Sequence, residues 1–123
     1  ILLLDALCNG GVSAESYRVL KPETIDLMRA DQLHGDSRKD FDLWGRAGYS
    51  YALGFRTLVE REKSGVRSPL GEFGWDGAAG AYALIDVKNH LALFYAQHVL
   101  NCGFVYETVH PKIRDLAYDM LEL

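Results

Sequence analysis

The sequence predicts an α+β fold: an antiparallel β-meander with flanking helices, and a C-terminal helix packed on the sheet. Apolar residues recur with helical spacing near both ends of the chain, and the period changes to two between residues 49 and 97. The connections between the middle runs are also too short for the crossover of a dozen or more residues that parallel neighbours need. At 123 residues the chain is long enough for one domain. Its 49% hydrophobic and 24% charged residues match a globular protein rather than a disordered one.

The helices come first, over residues 1–31. The run Ile1-Leu2-Leu3-Leu4-Asp5-Ala6-Leu7 is helix-like and is stopped by Asn9-Gly10-Gly11. It has no basic segment before it and lacks the longer apolar core of a signal peptide. A chain that opens without Met inside such a run reads as a piece of something longer, or as a processed product. A second helix fits Pro22 to about Ala30, with Pro22 in its first turn and Glu23 and Asp26 near the positive end of the helix dipole. Residues Asp31 to Gly48 read as a loop anchored by Trp44.

The strands fill 49–97. Tyr49, Tyr51, Leu53, Phe55, Thr57 and Val59 alternate with smaller or polar residues, the pattern of one strand with a heavier face. Glu60 to Gly65 reads as a solvated hairpin connection. A second strand fits Gly71 to Trp75, a third Ala81 to Asp86 and a fourth Leu91 to Gln97, joined by Gly77-Ala78-Ala79-Gly80 and Val87-Lys88-Asn89-His90. The last helix covers 111–123. Pro111 starts it, and Ile113, Leu116, Ala117, Met120 and Leu121 form an i, i+3, i+4, i+7, i+8 stripe that should lie on the sheet.

Composition narrows the chemistry. A net charge of −4 argues against a nucleic-acid partner, which calls for a basic stripe. No apolar stretch approaches the ~20 residues of a membrane span. With no targeting segment either, localisation stays open. Cys8 and Cys102 read as buried free thiols, with a disulfide between them as the alternative. No serine lies in G-x-S-x-G or is followed three residues later by Lys. His34, His90, His98 and His110 are scattered without metal-ligand spacing and read as ordinary turn or surface residues. No dinucleotide fingerprint opens a helix after a strand, so no cofactor is expected. Spacing alone gives no complete active site.

One stretch stands apart: Gly71-Glu72-Phe73-Gly74-Trp75-Asp76-Gly77-Ala78-Ala79-Gly80-Ala81-Tyr82. Small residues after a strand let a ligand or another chain approach the backbone, and free N–H groups there could serve a developing oxyanion. The same residues could equally form a hairpin that simply turns.

That stretch, with Gly48-Tyr49-Ser50-Tyr51-Ala52-Leu53-Gly54-Phe55 before it and Tyr82-Ala83-Leu84-Ile85-Asp86 and Leu91-Ala92-Leu93-Phe94-Tyr95 after it, resembles the serine β-lactamase-like family. Within it the class C β-lactamase, D,D-peptidase and esterase branch is most similar. The upstream Leu20-Lys21-Pro22-Glu23-Thr24-Ile25-Asp26-Leu27-Met28 resembles the family's helix before the strand. The likeness covers nearly the whole chain in order.

The resemblance implies the C-terminal portion of a β-lactamase/transpeptidase-like fold. It also implies a hydrolase working through an acyl-enzyme on ester or amide substrates, with β-lactams left open. Of the family's three motifs only the Lys/His/Trp-x-Gly type is present, as Trp75-Asp76-Gly77; the Ser-x-x-Lys nucleophile lies outside the chain. By the same resemblance the Ala78 N–H is an oxyanion-hole donor, while Trp75, Asp76 and Gly77 bind substrate. Trp75 offers an apolar face where Lys would offer a cation, and Asp76 is expected to add negative charge beside the site, so both favour less anionic acyl groups. The chain alone should be inactive. The alternative from another class is a non-catalytic oligomerisation or binding module derived from that fold, joining copies through an exposed sheet edge.

Overall fold

The computed structural model describes residues 1–123. Five strands, β1 (Tyr49–Ala52), β2 (Phe55–Leu58), β3 (Phe73–Asp76), β4 (Tyr82–Asp86) and β5 (Leu91–Tyr95), form one antiparallel sheet in the order β1-β2-β3-β4-β5. Helices α1 (Leu2–Cys8), α2 (Pro22–Met28), α3 (Gly35–Phe41), α4 (Arg61–Ser64) and α5 (His110–Met120) surround it. The expected meander, flanking helices and C-terminal helix are all present. No helix is long and apolar enough to cross a membrane.

Residues 49–59 form two strands rather than one. Leu53 and Gly54 both take positive φ, 40° and 92°, the signature of a two-residue hairpin turn whose twist matches the strands. The pairing sets Tyr51 opposite Arg56 and Ala52 opposite Phe55. Odd residues of β1 therefore share a face with even residues of β2, and the heavier face read from the sequence is divided between the two sides of the sheet. The 31–48 segment is likewise no simple loop. It holds α3 and a kinked helical turn over Asp42–Arg46, in which Gly45 has φ 78°. Trp44 does not anchor it, being 70% exposed; Phe41 packs instead. The charged run after β2 makes the short α4.

Each face of the sheet has its own core. On one side Leu7, Cys8 and Ile25 from α1 and α2 pack with Phe73 and Ile85, where burial of apolar area supplies the driving force. On the other, Tyr82 and Leu84 pack with Tyr118 of α5. Here the sequence misdirects. Leu116, Met120 and Leu121 of the expected stripe are exposed, Met120 at 83%. His110 and Tyr118, two turns apart, lie against the sheet. This face carries buried Arg56, Glu72, Asp76 and Asp86, and leucines laid on it would leave those groups without partners. Tyr118 donates to Asp86 at 2.8 Å, and His110 stacks on Tyr82 at 4.7 Å. His110 is thus a buried residue, not the turn or surface residue expected. Its Nε2 donates to the Gly80 carbonyl, 2.9 Å away. Cys8 and Cys102 are both free, so the disulfide alternative is not realised.

Candidate functional site

The singled-out stretch forms β3 and the turn into β4. Gly77 N–H donates to Ala81 and Gly80 N–H to Gly77, at 2.8 and 2.9 Å, which closes the turn. Gly74 must be glycine because a Cβ there would collide with the Ala83 carbonyl of β4. The Tyr106 hydroxyl lies 2.9 Å from the carbonyl oxygens of both Gly77 and Ala78 and shares its proton between them. Because the peptide is planar and trans, the Ala78 N–H points away from the Gly77 carbonyl. Tyr106 therefore fixes the direction of that N–H by holding the carbonyl behind it. Ala78 is exposed, and its N–H has no acceptor in the chain.

Trp75 and Asp76 are consecutive in β3, so their side chains leave opposite faces of the sheet. Trp75 stacks on Phe41 at 6.5 Å and meets Tyr51 edge-on at 5.2 Å; Phe41 in turn contacts Trp44 at 6.4 Å. Together with Leu33 these rings line an open groove of about 550 Å³ whose one charged lining residue is Asp40. Aromatic contacts of this kind add about 0.5–1.5 kcal/mol each beyond buried area and stiffen the wall.

Asp76 enters a buried charge cluster. Arg56 Nη1 donates to it at 2.9 Å and Arg46 donates to its other oxygen. Arg56 also reaches Glu72 at 3.4 Å, and the Tyr49 hydroxyl donates to Glu72 at 3.3 Å. The Asp76 and Arg56 side chains are each 3% exposed. Burial disfavours the charge on Arg56, but Glu72, Tyr82 and Asp76 outweigh it and hold the guanidinium charged. Burial pushes the Glu72 carboxyl upward, with Arg56 and Arg114 pulling against it. The expectation that Asp76 adds a bare negative charge beside the site is therefore corrected, because two guanidiniums meet that charge. Arg46 also lies over the Trp75 ring at 5.6 Å, tying the kinked turn to β3.

The structure thus brings Trp75, Asp76, Gly77 and Ala78 to one corner of the sheet, with Trp75 and Asp76 turned to opposite sides. Sequence reasoning missed Arg46, Arg56, Glu72, Phe41 and Tyr106. Arg56 and Glu72 had left a signal, as charges inside apolar strand runs; Arg46 and Tyr106 arrive from 30 residues away and left none. No group of three His, Cys, Asp or Glu side chains is close enough to hold a metal. Cys8 donates to the Asp5 carbonyl at 3.1 Å, and burial raises its thiol above the ordinary range.

No protein-family model matches the chain, and no curated protein matches it. Among solved structures, EstCE1, described as a hydrolase with promiscuous acyltransferase activity, is similar with a TM-score of 0.71 at 18% identity over 94% of this chain. The chain spans 27% of the length of that hydrolase. At this identity the likeness establishes a shared fold.

Proposed function

We propose that the chain is the C-terminal region of a serine hydrolase of the β-lactamase-like type, acting through an acyl-enzyme on ester or amide substrates. The observation that carries this reading is the Ala78 N–H, unpaired at the end of β3 and aimed by Tyr106 through the Gly77 carbonyl. A preorganised donor of this kind stabilises the oxyanion of a tetrahedral intermediate without reorganising during the reaction. In this reading the serine nucleophile and its base come from outside the chain, and the Ala78 N–H is one of two oxyanion donors. Gly77 lets the substrate approach the backbone, and Trp75 with its aromatic neighbours walls the acyl pocket. Losing one such donor typically costs about 10²–10³ in rate.

The test is an intact mass of the natural product before and after treatment with a fluorophosphonate serine probe. A mass well above 13.8 kDa carrying one label supports the hydrolase. An unlabelled product of 13.8 kDa sinks it. That outcome would favour the second reading, an oligomerisation module, which rests on the exposed Leu116 and Met120 of α5 with Leu121 after it, and on the sheet edges at β1 and β5. Sedimentation of the same sample would then separate a monomer from an oligomer.

A further inference from the structure

Between the sheet and α5, across β3 from the aromatic groove, lies a cavity of about 200 Å³. Arg46, Arg56 and Arg114 all reach it, with Asp76 the one carboxylate in its lining. Arg46 and Arg56 are balanced by Asp76 and Glu72. Arg114 is paired along one edge only. Its Nε donates at 2.9 Å to Asp115, a side chain 40% exposed to water, and its two terminal nitrogens have no partner in the chain. Tyr82, 4% exposed, lines the same cavity, and its hydroxyl likewise makes no hydrogen bond within the chain. His110 lines it too, with Nε2 committed to the Gly80 carbonyl. Opposite these groups Ala47, Val66 and Pro111 give an apolar wall.

Arg114 and Tyr82 thus turn donors toward the cavity that have no acceptor within the chain. A guanidinium fork matches a carboxylate in two parallel bonds. We propose that the cavity is a binding site for a small monoanionic carboxylate, its oxygens on the Arg114 terminal nitrogens and the Tyr82 hydroxyl, its short alkyl end against Ala47, Val66 and Pro111. Because Asp115 already meets one edge of Arg114 and Asp76 lines the cavity, a single negative charge is favoured over the double charge of sulfate. A tail of a few carbons fits the volume of about 200 Å³. Tyr106 lines this cavity as well as holding Gly77 and Ala78, so occupancy is expected to register at the Ala78 amide. The site is built from this chain's own residues and does not depend on the hydrolase reading.

The experiment is a titration of the 123-residue chain with sodium acetate and sodium butyrate, against sodium sulfate and sodium chloride at equal ionic strength. Binding is followed by amide and arginine side-chain NMR shifts. Saturable shifts of Arg114 Nε–H and Ala78 N–H with the carboxylates alone are expected. Arg114→Gln should weaken binding by about tenfold to a hundredfold, the worth of a charge-assisted hydrogen bond, and Tyr82→Phe by about threefold to tenfold. Tyr82→Phe removes a hydroxyl that has no partner in the chain, so it decides the matter alone if Arg114→Gln does not fold. Non-saturable shifts, sulfate binding as tight as acetate, or undiminished affinity in either variant that folds overturns the proposal.

Discussion

Replacing Asp76 by Asn keeps the shape of the side chain and removes its charge. The carboxylate accepts from Arg56 at 2.9 Å and from Arg46. An amide can present its oxygen to one guanidinium, but its NH₂ then faces the other, donor against donor. Arg46, with a side chain 26% exposed, can turn to water; Arg56 cannot, and keeps only its long contact to Glu72 at 3.4 Å. Breaking a buried ion pair from one side typically costs about 3–5 kcal/mol, because the remaining charge stays desolvated. The escape open to Arg46 places Asp76→Asn at the lower end, about 3 kcal/mol. Domains are stable by about 5–15 kcal/mol in all, so the loss is large. Urea unfolding followed by tryptophan fluorescence measures it, with an unchanged m-value confirming that the compact state is the same. A loss below about 1 kcal/mol would refute the argument, since a surface pair loses no more than that.

Three further outcomes follow from the same geometry. Ellman's reagent should label Cys102 in the native chain and Cys8 only on unfolding, because Cys8 is buried and its thiol is raised by that burial and by Asp5; equal labelling rates would contradict the packing of α1. Glu72 is raised by burial, so the folded state holds its proton more tightly than the unfolded one, and this contribution to stability is present at low pH and lost as pH rises through the folded value. Glu72→Gln should remove that slope above pH 4.5, as read by thermal melting across pH, whereas the Asp31 carboxyl, raised by burial but lowered overall by Ser50 and Arg38, acts with the opposite sign below its ordinary value. Tyr106→Phe should cost about 1 kcal/mol in the chain, and in the hydrolase proposed above should lower kcat rather than raise KM; an unchanged kcat would remove Tyr106 from the positioning role.

What was legible in the sequence was local. Pro22 marks a helix start, Asn9-Gly10-Gly11 marks an end, and the short connections force the meander; Pro111 lies in the first turn of α5, but the helical turn over Val105–Val109 that runs into it was not legible. The β1–β2 hairpin escaped because Leu53-Gly54 lacks the usual Asn-Gly or Asp-Gly signal, and a two-residue turn lets the alternation run on through it. Helix α3 escaped because Gly35–Phe41 carries one apolar residue and so has no stripe to read. In α5 the stripe was real but its direction was set by the partner surface. The sheet beneath it is charged, and His110 and Tyr118 meet that surface better than leucines could. The site divides the same way. Trp75 to Ala78 are contiguous and could be picked out together, whereas Arg46 and Tyr106 reach them only through the fold.

The substrate argument changes once Asp76 is seen among its partners. Two sequence features spoke against an anionic acyl group: the missing cation at Trp75 and the extra charge at Asp76. The second is met by Arg46 and Arg56. The first is modified by the Arg46 guanidinium, which stands 5.6 Å from the Trp75 ring centre and is the nearest candidate to replace a lysine there. Its charge is already committed to Asp76, however, and turning it to a substrate would leave that buried carboxylate with Arg56 alone. In the hydrolase proposed above, Arg46→Gln should therefore leave the ratio of kcat/KM for a neutral ester to that for a carboxylate-bearing ester unchanged within about twofold, since no transition-state contact is lost. A fall of tenfold or more confined to the anionic ester would show Arg46 leaving Asp76 for the substrate, and the preference argued from Trp75 would not stand.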